Sequence, residues 1–180
     1  RDFRSFQLEP IHGQAGRNKG MALFPEKVGG KYAMVGRQDG KNLYYLTSDR
    51  LDCWDEEGSL LMEPEYPWEF IQIGNCGSPI RTEAGWLLFT HGVGAMRKYA
   101  LGCALLALED PSKLIGRVKE PVLTAVDADR AGYVPNVIYT CGALKVGSDP
   151  DVRLLVPYGI SDSAVGFATV AVRDLLDLMV

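Results

Sequence analysis

The sequence holds only two histidines, His12 and His91, and its four cysteines, Cys53, Cys76, Cys103 and Cys141, stand far apart with no C-x-x-C pair. Zinc spacings are therefore missing, and the thiols read as free and buried. No apolar run approaches the roughly 18 to 20 residues that span a bilayer, and the longest, Leu101 to Leu108, is strand-sized. The formal net charge is only -4 and the basic residues are scattered, so the electrostatic footprint of a nucleic-acid or membrane binder is missing too. Arg1-Asp2-Phe3-Arg4 shows no initiator Met and no signal-peptide pattern, so the expectation is a cytoplasmic protein in a reduced setting. There is no P-loop, no G-x-S-x-G elbow, no G-x-G-x-x-G after a strand and no H-E-x-x-H, which removes the common catalytic menus.

What is present is self-similarity. LFPEKVGGKYAMVGR (Leu23 to Arg37) reads as two short strands across a Gly-Gly turn, followed by NLYYLTSDRLDCW (Asn42 to Trp54). SPIRTEAGWLLFTHG (Ser78 to Gly92) repeats the plan and leads into YALGCALLALEDPSKLIG (Tyr99 to Gly116). CGALKVGSDPDVRLLVPYG (Cys141 to Gly159) repeats it again before AVGFATVAVRDLLDL (Ala164 to Leu178). With Leu43, Leu101 and Val165 taken as equivalent, the offsets are near sixty residues. Turn signals at Gly29-Gly30, Glu83-Ala84-Gly85 and Ser148-Asp149-Pro150 separate runs of aromatic and β-branched residues too short for helices. Polar stops follow at Ser48-Asp49, Asp110-Pro111-Ser112 and Arg173-Asp174. The expectation is an all-β chain of blade-like units at about 20–60, 68–120 and 133–180, each with three or four strands, forming part of a β-propeller. An ordinary β-sandwich is the alternative. Three units are too few to close a ring, and open sheet edges invite self-association or pairing with a missing N-terminal portion.

Several polar residues stand near strand ends that a propeller turns toward its axis. Arg17-Asn18-Lys19 precede the first unit, Arg37 ends a strand, Arg81 opens one, His91 ends one, and Asp162 follows Tyr158-Gly159. Arginine offers a rigid fork of donors for phosphate or carboxylate, so convergence of Arg17, Arg37, Arg81 and His91 would make an anion site. Surface charge is the plainer reading for any single one of them. Asp162, between Ser161 and Ser163, suits either a turn or a sugar hydroxyl. Trp54, Trp68 and Trp86 suit the core better than sugar stacking.

Five ordered strings carry a resemblance: LFPEKVGGKYAMVGR, PWEFIQIGNCGSPIRTEAGWLLFTHGV, LGCALLALEDPSKLIGRVKEPVL, GYVPNVIYTCGAL and LLVPYGISDSAVGFATV. Together they resemble the later half of glycoside hydrolase family 130, the β-mannoside phosphorylases and related mannosidases. The resemblance implies a five-bladed β-propeller with its active site in the central cavity, and no metal or organic cofactor, with inorganic phosphate as co-substrate. It further implies that Arg17, Asn18, Arg37, Arg81 and His91 hold phosphate and that Asp162 contacts the mannosyl unit. The family's general acid is an Asp of the earlier half with no counterpart here, so the expected partners are phosphate and a mannoside, and the chain alone is expected to be inactive. Hydrolysis of the same linkages, and a non-catalytic glycan-binding or assembly fragment, stay open as alternatives.

Overall fold

The computed structural model describes residue 2, residues 4–148 and residues 152–180. Three separate antiparallel sheets account for nearly all of its regular structure. The first runs β1 (Ala22–Leu23), β2 (Tyr32–Gly36), β3 (Leu43–Ser48) and β4 (Ser59–Met62) as a simple meander. Its first turn is the expected one. Val28 and Lys31 exchange backbone bonds at 2.9 and 3.1 Å across Gly29 and Gly30, whose φ values of 57° and 83° are those of a tight hairpin and favour glycine.

The second sheet holds β5 (Gln72–Asn75), β6 (Ile80–Arg81), β7 (Trp86–Val93), β8 (Tyr99–Leu106), β9 (Leu114–Arg117) and β10 (Leu123–Thr124). It has six strands rather than three or four, because short strands β6, β9 and β10 pair along the two long central ones. The third sheet contains β11 (Ile138–Tyr139), β12 (Leu144–Val146), β13 (Arg153–Ile160) and β14 (Ala164–Ala171). Of the turn expected at Ser148-Asp149-Pro150, Asp149 and Pro150 lie outside the described residues. The run from Ala164 was expected to continue as strand to a stop at Arg173-Asp174, but it changes at Val172 into a short helix, α1 (Val172–Asp177). Helical spacing there turns Leu175 and Leu176 onto the core, which a continuing strand would have pointed to opposite faces. Among the described residues no helix is long and apolar enough to cross a membrane.

Every residue of β7 is buried, and the period-two alternation of a strand decides which neighbour each one meets. Trp86 and Leu88 pack with Ala104 and Leu106 of β8 against Phe24, Val35, Leu43 and Met62 of the first sheet. Leu87 and Phe89, with Leu101, Cys103 and Leu105, pack against Ile138, Leu154 and Val156 of the third. A sheet covered on both faces needs apolar residues at every position, which is why Leu101 to Leu106 reads as an unbroken apolar run. Trp54 and Trp86 are core residues, as expected, and Phe24 meets the Trp86 ring edge-on at 5.0 Å. Trp68 is only half-buried, its indole Nε1 donating to the Lys119 carbonyl at 2.9 Å. Of the four thiols expected to be buried, Cys76 and Cys103 are; Cys53 is partly exposed and Cys141 exposed, because they sit in a loop and a strand-end bend rather than on a packed face.

A buried ion pair also ties the second sheet to the segment that leads out of β4. Arg117, on β9, reaches Glu69 with Nη2 and the Glu63 carbonyl with Nη1 at 3.1 Å. Its guanidinium lies 5.1 Å from the Tyr66 ring centre. Glu69 also accepts from the backbone amides of Glu65 and Tyr66 at 3.1 and 3.2 Å. Burial pushes the Glu69 carboxyl above its ordinary range, against the pull of Arg117 and those amides. Removing one partner of such a pair leaves the other buried and uncompensated. Arg117→Met is therefore expected to cost about 3 to 5 kcal/mol in urea unfolding, and the Arg117→Met, Glu69→Gln double variant less than the sum of the singles. A loss within the roughly 0.5 kcal/mol of an ordinary surface change would refute the assignment.

Candidate functional site

Arg37 and His91 come from different sheets and meet. Arg37 directly follows β2, and His91 lies near the end of β7; they are only 4% and 5% exposed. Arg37 Nη1 stands 3.4 Å from His91 Nε2. Gly74, opposite His91 in the β5/β7 register, makes the approach possible. A Cβ there would lie 2.3 Å from His91 Cε1 and 2.7 Å from Arg37 Nη1, so only glycine leaves room. The imidazole stacks on Tyr99 with ring centres 5.8 Å apart and takes Tyr139 at 63° and 4.9 Å.

These residues line a cavity of about 350 Å³ that also includes Lys19, Arg97, Gln72 and Asp162. Arg37 makes no ion pair among the described residues, and its Nε is buried without a hydrogen-bond partner. A buried guanidinium normally has a compensating anion. The pocket thus gathers Lys19, Arg37 and Arg97 against a single carboxylate, Asp162, and is chemically an anion site with an acidic residue at its rim.

Asp162 reaches the rim through a strained turn. Ser161 and Asp162 both have left-handed φ, 47° and 51°, in the loop between β13 and β14. Fully buried Ser161 holds that turn: its hydroxyl donates to the Asp129 carbonyl, its amide donates to the Val137 carbonyl at 2.8 Å, and its carbonyl accepts from the Val134 amide at 3.1 Å.

The other expected site residues stand elsewhere. Arg81 does not converge: it is exposed and paired with Glu26 at 3.2 Å. Its partner across β6 and β7 is Trp86, five residues before His91, a separation of roughly 17 Å along the strand. Arg17 is exposed and lines a neighbouring cavity of about 250 Å³ with Gln38, Asp39 and Tyr44. Asn18, with φ 68°, forms the turn that delivers Lys19, its side-chain oxygen accepting from the Lys19 amide at 2.9 Å. Lys19 is thus the member of the Arg17-Asn18-Lys19 triplet in the cavity, while Arg97, Gln72, Tyr99 and Tyr139 carry no motif that points to them.

Burial, and secondarily the Arg37 charge, pushes the His91 imidazole down to about 4. The folded protein refuses a proton there that the unfolded chain accepts below about 6.5, so stability is complete above that value and falls as the pH drops toward 4. In buffers free of phosphate and sulfate, the His91 contribution is expected to fall by about 2 kcal/mol between pH 7 and pH 5, and His91→Asn should remove that part of the slope. Parallel pH dependences of urea unfolding in the two proteins would refute it.

Comparison with known proteins gives this geometry its context. The sequence model of glycoside hydrolase family 130, described as beta-1,4-mannooligosaccharide phosphorylase, matches residues 2–180. The 1,2-beta-oligomannan phosphorylase of Thermoanaerobacter sp. (strain X514) is 39% identical over 160 residues, 88% of this chain and 52% of the relative. The beta-1,2-mannobiose phosphorylase of the same strain is 40% identical over 154 residues, 85% of this chain and 49% of that one. The solved structure of Listeria innocua beta-1,2-mannobiose phosphorylase in complex with beta-1,2-mannobiose superposes with a TM-score of 0.77 at 28% identity, covering 89% of this chain and 46% of that one. The chain spans about half the length of these relatives. The all-β expectation holds, and the three sheets are part of a β-propeller. With a match that runs from residue 2 to residue 180, the chain belongs to glycoside hydrolase family 130.

Proposed function

We propose that this chain is the phosphate-holding part of an inverting β-mannoside phosphorylase. The observation that carries this reading is Arg37, a buried guanidinium with no carboxylate partner among the described residues, sharing its cavity with His91, Lys19 and Asp162. Inorganic phosphate takes the anion position, and Asp162 at the rim accepts from hydroxyls of the sugar. One phosphate oxygen then attacks the anomeric carbon from the face opposite the leaving oxygen, giving mannose 1-phosphate with inversion. The Arg37 fork and the Lys19 ammonium orient the nucleophile and balance its charge. Phosphate replaces the water of an inverting glycosidase, so no second carboxylate acts as base. Protonation of the leaving oxygen is assigned to no residue of this chain.

The phosphate set proposed here is narrower than the five residues expected from the resemblance, because Arg81, Arg17 and Asn18 do not line the cavity. Arg37→Ala is expected to weaken phosphate binding, read by calorimetry, at least about tenfold, and to lower phosphorolysis by the native gene product on the order of 10² to 10³. Arg81→Ala should change either by less than about twofold, as expected of an exposed ion pair. Release of free mannose without phosphate dependence would replace this reading with hydrolysis, and sugar binding with no turnover would replace it with a glycan-binding role.

Association follows from the same reading. Val165 and Phe167 are 68% and 69% exposed on β14, which among the described residues pairs only with β13. Such an apolar row on a strand with one partner supports contact with further blades, from a second copy or from a longer polypeptide. Light scattering of the 180-residue chain at micromolar concentration is expected to give a mass above the 19.7 kDa of a monomer, and Phe167→Lys to reduce it. A clean monomer would refute self-association.

A further inference from the structure

The neighbours of His91 bear on which of its nitrogens carries the proton. A guanidinium only donates, so Nε2, the nitrogen facing Arg37 Nη1 at 3.4 Å, is the unprotonated one. In the neutral ring the proton then sits on Nδ1, where Cys76 Sγ stands 3.5 Å away, and the Asn75 backbone also hydrogen-bonds the ring. Rotating the ring by half a turn would put carbons where both nitrogens now make contact, losing both interactions. Tyr99 against the ring face, Tyr139 against its edge and the Gly74 backbone hold it in place.

We propose, resting on the phosphate reading of the cavity, that Cys76 is a positioning residue: its sulfur keeps His91 in the Nδ1–H form, so that Nε2 offers the pocket a lone pair and the pocket selects oxyanions that still carry a proton, hydrogen phosphate or arsenate, over sulfate. A protonated phosphate oxygen donates to Nε2 while the unprotonated oxygens take the Arg37 fork. The Arg37–His91 contact it displaces is at the long limit for a hydrogen bond, and Arg37 Nε is unpartnered, so the guanidinium has donors to give. Sulfate carries no proton at neutral pH and would set its oxygens against that lone pair. A buried mismatch of this kind is worth on the order of tenfold to a hundredfold in affinity.

The test is calorimetric titration of the full 180-residue chain, and of the native gene product, with sodium phosphate, arsenate and sulfate. At neutral pH phosphate and arsenate should bind within a few-fold of each other, and sulfate at least about tenfold more weakly. Acidification should narrow the gap, because a protonated His91 donates to either anion. Nitrogen-15 spectra of the histidine-labelled protein give a readout that needs no ligand and no variant: His91 should show a protonated Nδ1 and a bare Nε2. Cys76→Ala should mix the two tautomers and shrink the phosphate preference, while Cys76→Ser, which keeps an acceptor, should largely restore both. A proton on Nε2 in the unliganded protein, or equal binding of sulfate and phosphate, overturns the proposal and leaves the phosphate reading standing. Failure of all three anions to bind overturns both.

Discussion

The cavity depends on one close approach, that of Arg37 and His91 across the boundary between the first and second sheets. Neither sheet alone would place a cation beside that imidazole. The approach requires the sheets to pack tightly, which the apolar contacts of Phe24, Val35 and Leu43 with Trp86 and Leu88 accomplish, and it requires Gly74 at the crossing point. Packing and site are therefore not separable here. The side chains that join the sheets also set the distance between the groups at their inner ends, and interiors packed this densely leave little slack.

The central sheet explains the asymmetry of the molecule. Its two long strands face apolar partners on both sides, so neither face can carry polar chemistry except at the strand ends. His91 is near such an end, and Asp162 and Tyr139 come to it from the third sheet. Three sheets thus each contribute to one pocket, although no segment of the chain contains the pocket. The turn that carries Asp162 costs backbone strain at two non-glycine residues, and buried Ser161, bonded through its hydroxyl, amide and carbonyl, holds it there.

Most of the hairpins were legible in the sequence, because period-two patterning and turn chemistry are local. The Gly29-Gly30 turn, the β7 and β8 pair and the all-β character all follow from neighbours within a few residues. Arg37 and His91 were legible for a related reason: a polar side chain at the end of a buried strand must point somewhere that receives it. Arg81 satisfied the same local rule, yet β6 pairs with the opposite end of β7 and points it outward to Glu26. Strand register over such short pairings is a non-local property, and nothing near Arg81 encodes it. The same holds for Arg97 and Lys19, which enter the cavity from loops whose paths depend on positive φ at Asn18, Met96 and Arg97. The helix at Val172 was hidden because its apolar residues, read alone, suit a strand as well as one helical turn and a half.

The distribution of the tryptophans has a practical side. Trp54 lies in the first sheet's own core, Trp86 lies where the first and second sheets meet, and Trp68 lies on the face of the second with its indole over Gly92 and Gly102. The third sheet contains none. Indole fluorescence therefore reports on two of the three sheets and is blind to the one that supplies Asp162. A population in which the third sheet had melted by itself would keep a native emission spectrum while the pocket had lost its acidic rim, and only tyrosine signals from Tyr139 and Tyr158, or amide exchange along β13, would reveal it.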